Sequence, residues 1–250
     1  MPSRVPEILS FLKAKGSPRN VAGMARYGIV TANAYGAPSG VIKDLARSLG
    51  KDHSLARALW NTGVYDARIL AAFVEEPNRV TESQMERWVL DFDNWAICDG
   101  ICLHLFDKTP HAYAKAVAWS ARQEEFVRRA GLVLMAVLAV HDKQAPDDVF
   151  RKFLGIITTR ASDERNFVKK AVNWALRQIG KRNRALNRAA IAAAEEIAKR
   201  DSPAARWIAR DALRELESAA VQRRLQATVK GRTRAARTSA AGARNHRNIH

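Results

Sequence analysis

Trp95 and Asp99 stand four residues apart in a stretch of helical periodicity, with Arg129 and Trp174 further along the chain. At that spacing an indole and a carboxylate share one face of a helix, a single turn apart. The surrounding sequence is strongly basic, with 42 Lys and Arg against 25 Asp and Glu and a formal charge of +17. A surface that only holds phosphates gains nothing from a negative charge. A carboxylate kept beside an indole in such a chain therefore points to chemistry on DNA.

Each of these residues also has a plainer reading. Asp99 shares its face with Trp95, Cys102, Leu103 and Phe106, and Arg129 shares its face with Leu132, Val133, Ala136 and Val140. Burying either charge alone costs several kcal/mol, so the two either pair with each other or line an open cleft. Trp174 lies to one side of the apolar stripe Val168, Val172, Ala175, Leu176 and Ile179, next to Lys170, Arg177 and Lys181. It either packs on a neighbouring helix or presents an indole among cations, as nucleic-acid surfaces do.

The elements that must hold these side chains are helices. Helical periodicity recurs from Val5 to about Arg224, strand signals are scarce, and short Gly, Pro, Asp and Asn connections divide the pattern into about a dozen helices. Starts are expected at Ser17-Pro18, Thr81-Glu82, Thr109-Pro110, Ser162-Asp163 and Asp201-Ser202-Pro203, and ends near Gly50, Gly63 and Gly180. Phe126-Val127-Arg128-Arg129-Ala130, Phe167-Val168-Lys169-Lys170-Ala171 and Trp207-Ile208-Ala209-Arg210-Asp211-Ala212 echo one another at steps of 41 and 40 residues. That is the period of a two-helix HEAT-type repeat. The expected fold is an all-α solenoid in which Arg68, Asp99, Arg129, Lys170 and Arg210 take equivalent positions along one concave basic groove.

Composition narrows the remaining possibilities. No apolar run is long enough to cross a bilayer and the first residues lack a signal-peptide core, so a cytoplasmic protein without membrane contact is expected. Cys98 and Cys102 have the wrong spacing for a Cys-x-x-Cys site and read as buried apolar residues rather than metal ligands with His104. No metal or cofactor is expected. Residues 219–250 carry eight cations and no acid, with few large apolar side chains after Leu225, so residues 1–220 are expected to form the folded domain and 221–250 a disordered polyanion-binding tail. No Ser-His-Asp arrangement or nucleotide-binding Gly loop is present.

From about Asn20 to Ala219 the chain resembles the DNA alkylation repair, or AlkD-like, family of DNA glycosylases built from HEAT-like repeats. The resemblance is carried by Met24-Ala25-Arg26-Tyr27, by Asp93-Asn94-Trp95-Ala96-Ile97-Cys98-Asp99, by Phe126 to Ala130, and by Asn166 to Arg177. It implies a monomer that acts on double-stranded DNA containing alkylated bases. By this resemblance Trp95, Asp99, Arg129 and Trp174 form the active site, and Tyr27 is the tyrosine of the groove near the bases. Where family members carry a basic helix start that contacts phosphate, this chain reads Ser39-Gly40-Val41-Ile42-Lys43, leaving Lys43 for that role.

The chemistry implied is hydrolysis of the N-glycosidic bond of purines alkylated at N3 or N7. Such a base is already cationic and leaves without a strong general acid. Positive charge then develops on the deoxyribose, and Asp99 would stabilise it or activate the attacking water, with the indoles flanking the sugar. Arg129 would bind a phosphate and keep Asp99 ionised, and Lys170, Arg177 and Arg210 would extend a phosphate track. The resemblance also implies that the base stays stacked in the duplex. The competing expectation is a non-catalytic HEAT-type module that binds nucleic acid or protein.

Overall fold

The computed structural model describes residues 4–30 and 33–227, and among them there is helix but no strand. Among the described residues thirteen numbered α-helices run in order, followed by a further helical segment over residues 219–227: α1 (Val5–Lys15), α2 (Pro18–Arg26), α3 (Ser39–Leu49), α4 (His53–Trp60), α5 (Tyr65–Val74), α6 (Glu82–Leu90), α7 (Trp95–His104), α8 (Ala112–Ser120), α9 (Glu125–His141), α10 (Asp147–Arg160), α11 (Asn166–Gly180), α12 (Arg184–Ala198) and α13 (Pro203–Leu216). Short 3-10 turns at Pro77–Arg79 and Phe106–Lys108 separate some of them. Three of the expected starts are made by side chains that cap free amides. Ser17 accepts from the Asn20 amide, Thr81 from Gln84 and Ser202 from Ala205. Two starts move. The Thr109 hydroxyl donates back to the Phe106 carbonyl, so α8 begins only at Ala112, and α11 begins at Asn166 rather than beside Ser162-Asp163.

The chain divides into two compact units. The first comprises residues 1–138 and 165–171, the second residues 139–164 and 172–250. In the first unit α3 packs on α5 and α5 on α7. Behind them an aromatic spine starts with Trp60 stacked on Trp88 at 4.0 Å between centroids and continues through Phe92 and Phe106 to Trp119. Asp66 is fully buried, yet its carboxylate accepts the Tyr35 and Ala37 amides at 2.7 Å each and so fixes the loop into α3.

Residues 132–139 of α9 are buried on every side, which makes it a core helix rather than an amphipathic one. It approaches α8 closely. A Cβ at Gly131 would lie 2.3 Å from the Ser120 amide nitrogen and 2.9 Å from the Ala116 carbonyl oxygen. Backbone cannot yield as a side-chain tip can, so Gly131→Ala is expected to push α8 off α9 and cost about 1–3 kcal/mol, the usual scale of overpacking. Thermal melting of the purified variant checks this, and an unchanged Tm would mean that the helices separate freely.

In the second unit α12 packs on both α10 and α13. Arg182 lies over the Phe150 ring at 4.3 Å and donates to the Ala139 and Ala145 carbonyls. The folded chain also extends past the boundary expected at residue 220. Residues 219–227 are helical, with Val221 and Leu225 buried and the Gln222 amide donating to Asn187 and to the Leu216 carbonyl. Two apolar residues four apart supply an anchoring face, which outweighs the local excess of arginine. The rest of the expected tail, 228–250, lies outside the described residues.

Candidate active site

The first unit brings Tyr27, Trp95, Asp99 and Arg129 together. Asn94 sets the register of α7: its side-chain oxygen accepts the Ala96 and Ile97 amides at 3.0 Å, which makes Trp95 the first helical residue and puts Asp99 one turn later. The Trp95 indole N–H donates to the Tyr27 carbonyl at 2.9 Å and ties α7 to the end of α2. Tyr27 itself is 77% exposed. Next to it Gly28 turns the chain with φ of 73°, and a Cβ there would sit 3.6 Å from the tip of the Phe167 ring. That backbone region favours glycine. Phe167 in turn packs on Phe126 at 5.4 Å.

Asp99 and Arg129 resolve their alternatives by pairing. Arg129 Nε donates to Asp99 Oδ1 at 2.9 Å and Nη2 to Oδ2 at 2.7 Å, a two-pronged bridge between α7 and α9. Arg129 Nη1 donates to the Phe167 carbonyl at 2.5 Å. Along the same seam the Cys98 thiol faces the Phe126 carbonyl at 3.6 Å and the Cys102 thiol faces the Ala130 carbonyl at 3.8 Å. The Asp99 side chain keeps 19% of its surface open, whereas Arg129 keeps 7%. Burial pushes the Asp99 carboxyl above the usual carboxylate range, and the guanidinium pulls against that shift without cancelling it. The pair thus presents a carboxylate edge, with the cation behind it.

This corrects the role expected of Arg129. Its guanidinium is nearly enclosed and its donors serve Asp99 and Phe167, so it positions the carboxylate instead of reaching a phosphate. Arg68 is held as well: it lies over the Trp60 ring at 4.9 Å and bonds Asp91, which also accepts the Trp60 indole N–H. In the second unit Arg177 bonds Glu215 and stands 3.5 Å from Asp211. Lys43 and Lys170 of the first unit and Arg210 of the second are exposed and have no ion-pair partner among the described residues. Trp174 is half-buried on the part of α11 that belongs to the second unit. Sequence reasoning marked Phe126 and Phe167 only as repeat signposts and passed over Asn94 and Gly28. Their placement here depends on contacts between distant helices. No group of three or more His, Cys, Asp or Glu side chains among the described residues is arranged to hold a metal ion.

The family model described as DNA alkylation repair enzyme matches residues 8–216. The chain belongs to this family. The DNA alkylation repair match starts inside α1 and stops at the last residue of α13, so it takes in every helix that builds the site. Among solved structures, one described as a new family of proteins related to the HEAT-like repeat DNA glycosylases, with affinity for branched DNA structures, superimposes with a TM-score of 0.71 at 21% identity, over 84% of this chain and 94% of that one. The likeness establishes the all-α HEAT-like repeat fold. No match was found among curated proteins.

Proposed function

We propose that this protein is a DNA glycosylase that hydrolyses the N-glycosidic bond of N3- or N7-alkylated purines in duplex DNA. The observation that carries the reading is the Asp99 carboxylate, clamped at both oxygens by Arg129 yet open at one edge, one turn from Trp95. A carboxylate fixed in a partly dry site stabilises a cation without having to reorganise as the charge appears. As the bond from C1′ to N9 of the alkylated purine stretches, both bonding electrons go to the base, neutralising its formal charge, and the sugar becomes cationic. Asp99 faces that charge, and water adds to C1′ as its proton passes to the carboxylate or to solvent.

Trp95 contributes an indole face whose quadrupole favours a cation by about 0.5–2 kcal/mol, and the Tyr27 carbonyl fixes the plane of that ring. Trp174 keeps the indole role that the family resemblance implies. Lys43, Lys170 and Arg210, exposed and without an ion-pair partner among the described residues, suit phosphate contacts.

A second reading is favoured by the completeness of the ion pair, in which Arg129 serves both Asp99 oxygens and the Phe167 carbonyl. In that reading the chain binds DNA without cutting it, in the manner of the structural relative described as having affinity for branched DNA. Release of methylated bases from duplex DNA by the purified protein, counted by chromatography against a heat-inactivated control, separates the two. Base release supports the glycosylase, whereas tight binding with none leaves only the scaffold.

A further inference from the structure

Between Glu7 and Asp44 the chain has no acid, yet it carries Lys13, Lys15, Arg19, Arg26 and Lys43. Two of these cations stand on α2. Arg19 and Arg26 are two helical turns apart, about 10.5 Å along the axis, and share one face with Ala22 and Gly23 between them. Both are exposed, and neither guanidinium has an ion-pair or hydrogen-bond partner among the described residues. Their face is one wall of a cleft of about 790 Å³ in the first unit, and the other wall is the loop from Gly36 to Ser39 at the start of α3. The carboxylate bonded to this loop, Asp66, is fully buried and spent on the Tyr35 and Ala37 amides. The middle of the cleft wall is open, since a Cβ built at Gly23 meets nothing within 4 Å. A helix kept only for packing would bury an apolar stripe, whereas α2 buries none of its residues. Its two arginines repel each other across an acid-free cleft until an anion lies between them.

We propose that this cleft takes one sugar-phosphate strand of duplex DNA, with Arg19 and Arg26 holding its phosphates and α2 acting as the clamp. The flat guanidinium fork suits phosphate oxygens, and Ala22 and Gly23 let the strand approach the helix between the two arginines. A strand fits between two walls, whereas a planar lipid surface does not enter them. The clamp is continuous with the candidate active site, because the Tyr27 carbonyl at the end of α2 takes the Trp95 indole N–H at 2.9 Å. The inference rests on DNA being the partner of this protein, as proposed above, but not on base excision.

The test is fluorescence anisotropy of the full chain with a labelled duplex over a range of salt, alongside sedimentation with vesicles of anionic lipid. Replacing Arg19 and Arg26 together by Gln is expected to weaken duplex binding roughly 10- to 60-fold at about 0.1 M salt and to flatten the slope of log affinity against log salt by about 2, at roughly 0.9 per phosphate contact. Replacing both by Lys should restore most of the slope. The control removes the same charge elsewhere in the first unit: Arg57→Gln with Arg87→Gln, exposed positions on α4 and α6 outside the cleft, should leave the slope nearly unchanged. Gly23→Leu fills the cleft from an open position, so it should weaken duplex binding while Tm holds or rises, glycine being a poor helix residue. A folded double Gln variant that binds like wild type, or no worse than the control, overturns the proposal. So does Gly23→Leu with full affinity, or an Arg19 and Arg26 dependence seen with the vesicles alone. A wild-type chain that does not bind duplex defeats the DNA reading itself, whereas intact duplex binding or base release with an unaffected double Gln variant defeats only the clamp.

Discussion

Asp99→Asn is expected to lower single-turnover release of alkylated bases by roughly 10²-fold or more, the loss typical of removing one electrostatic stabiliser of a transition state. The amide keeps one acceptor for Arg129 but sets an N–H donor against its other prong, so part of the clamp opposes itself. A stability cost of roughly 3 kcal/mol accompanies the lost activity, because Arg129 remains enclosed with half its partner gone. Duplex affinity should hold or rise as a negative charge leaves. Single-turnover rates taken well below the variant's Tm separate chemistry from unfolding. Full excision by a folded Asp99→Asn protein would remove Asp99 from the reaction.

Arg129→Met has the largest expected effect on the fold, roughly 3–5 kcal/mol, since it strands the carboxylate in the seam between α7 and α9. Its sign with pH is specific. Burial already raises the Asp99 carboxyl, and removing the guanidinium takes away the influence that lowers it. At pH below the unfolded value of about 3.9 both states are protonated and the cost vanishes. Between that value and the raised folded one the native state binds more protons, so stability falls as pH rises through the window. The Tm deficit of Arg129→Met against wild type should therefore narrow on acidification, and the acid limb of any residual activity should move to higher pH. A deficit that is constant with pH would show that Arg129 matters only for packing.

The helical fold and its repeat were legible because they rest on local pattern. The cap at Ser202 and the 41- and 40-residue echo need only neighbours in sequence. Starts failed where a side chain is used elsewhere: in the linker expected to open α11, Glu164 instead takes the Ser202 hydroxyl and the Ala204 amide at the start of α13. The choice between pairing and an open cleft for Asp99 and Arg129 was not legible, since it depends on how α7 and α9 are aligned across 30 residues of chain. The fate of Arg68 and Arg177 was hidden for the same reason, as a sequence shows a cation but not the acid that reaches it.

The two cysteines of the chain both lie in the α7–α9 seam with no exposed surface. Burial drives the Cys102 thiol well above its usual range, and both sulfurs are directed at backbone carbonyls. Thiolates, not thiols, are the nucleophiles that soft electrophiles capture. A protein with the function proposed above must keep working in the presence of the reagents that create its substrate, and here neither sulfur is offered to them. Durability against the damaging agent is thus built into the same helix contact that aligns the candidate site. A small thiol-alkylating reagent should leave the native chain unmodified and label two sites per chain once it is unfolded.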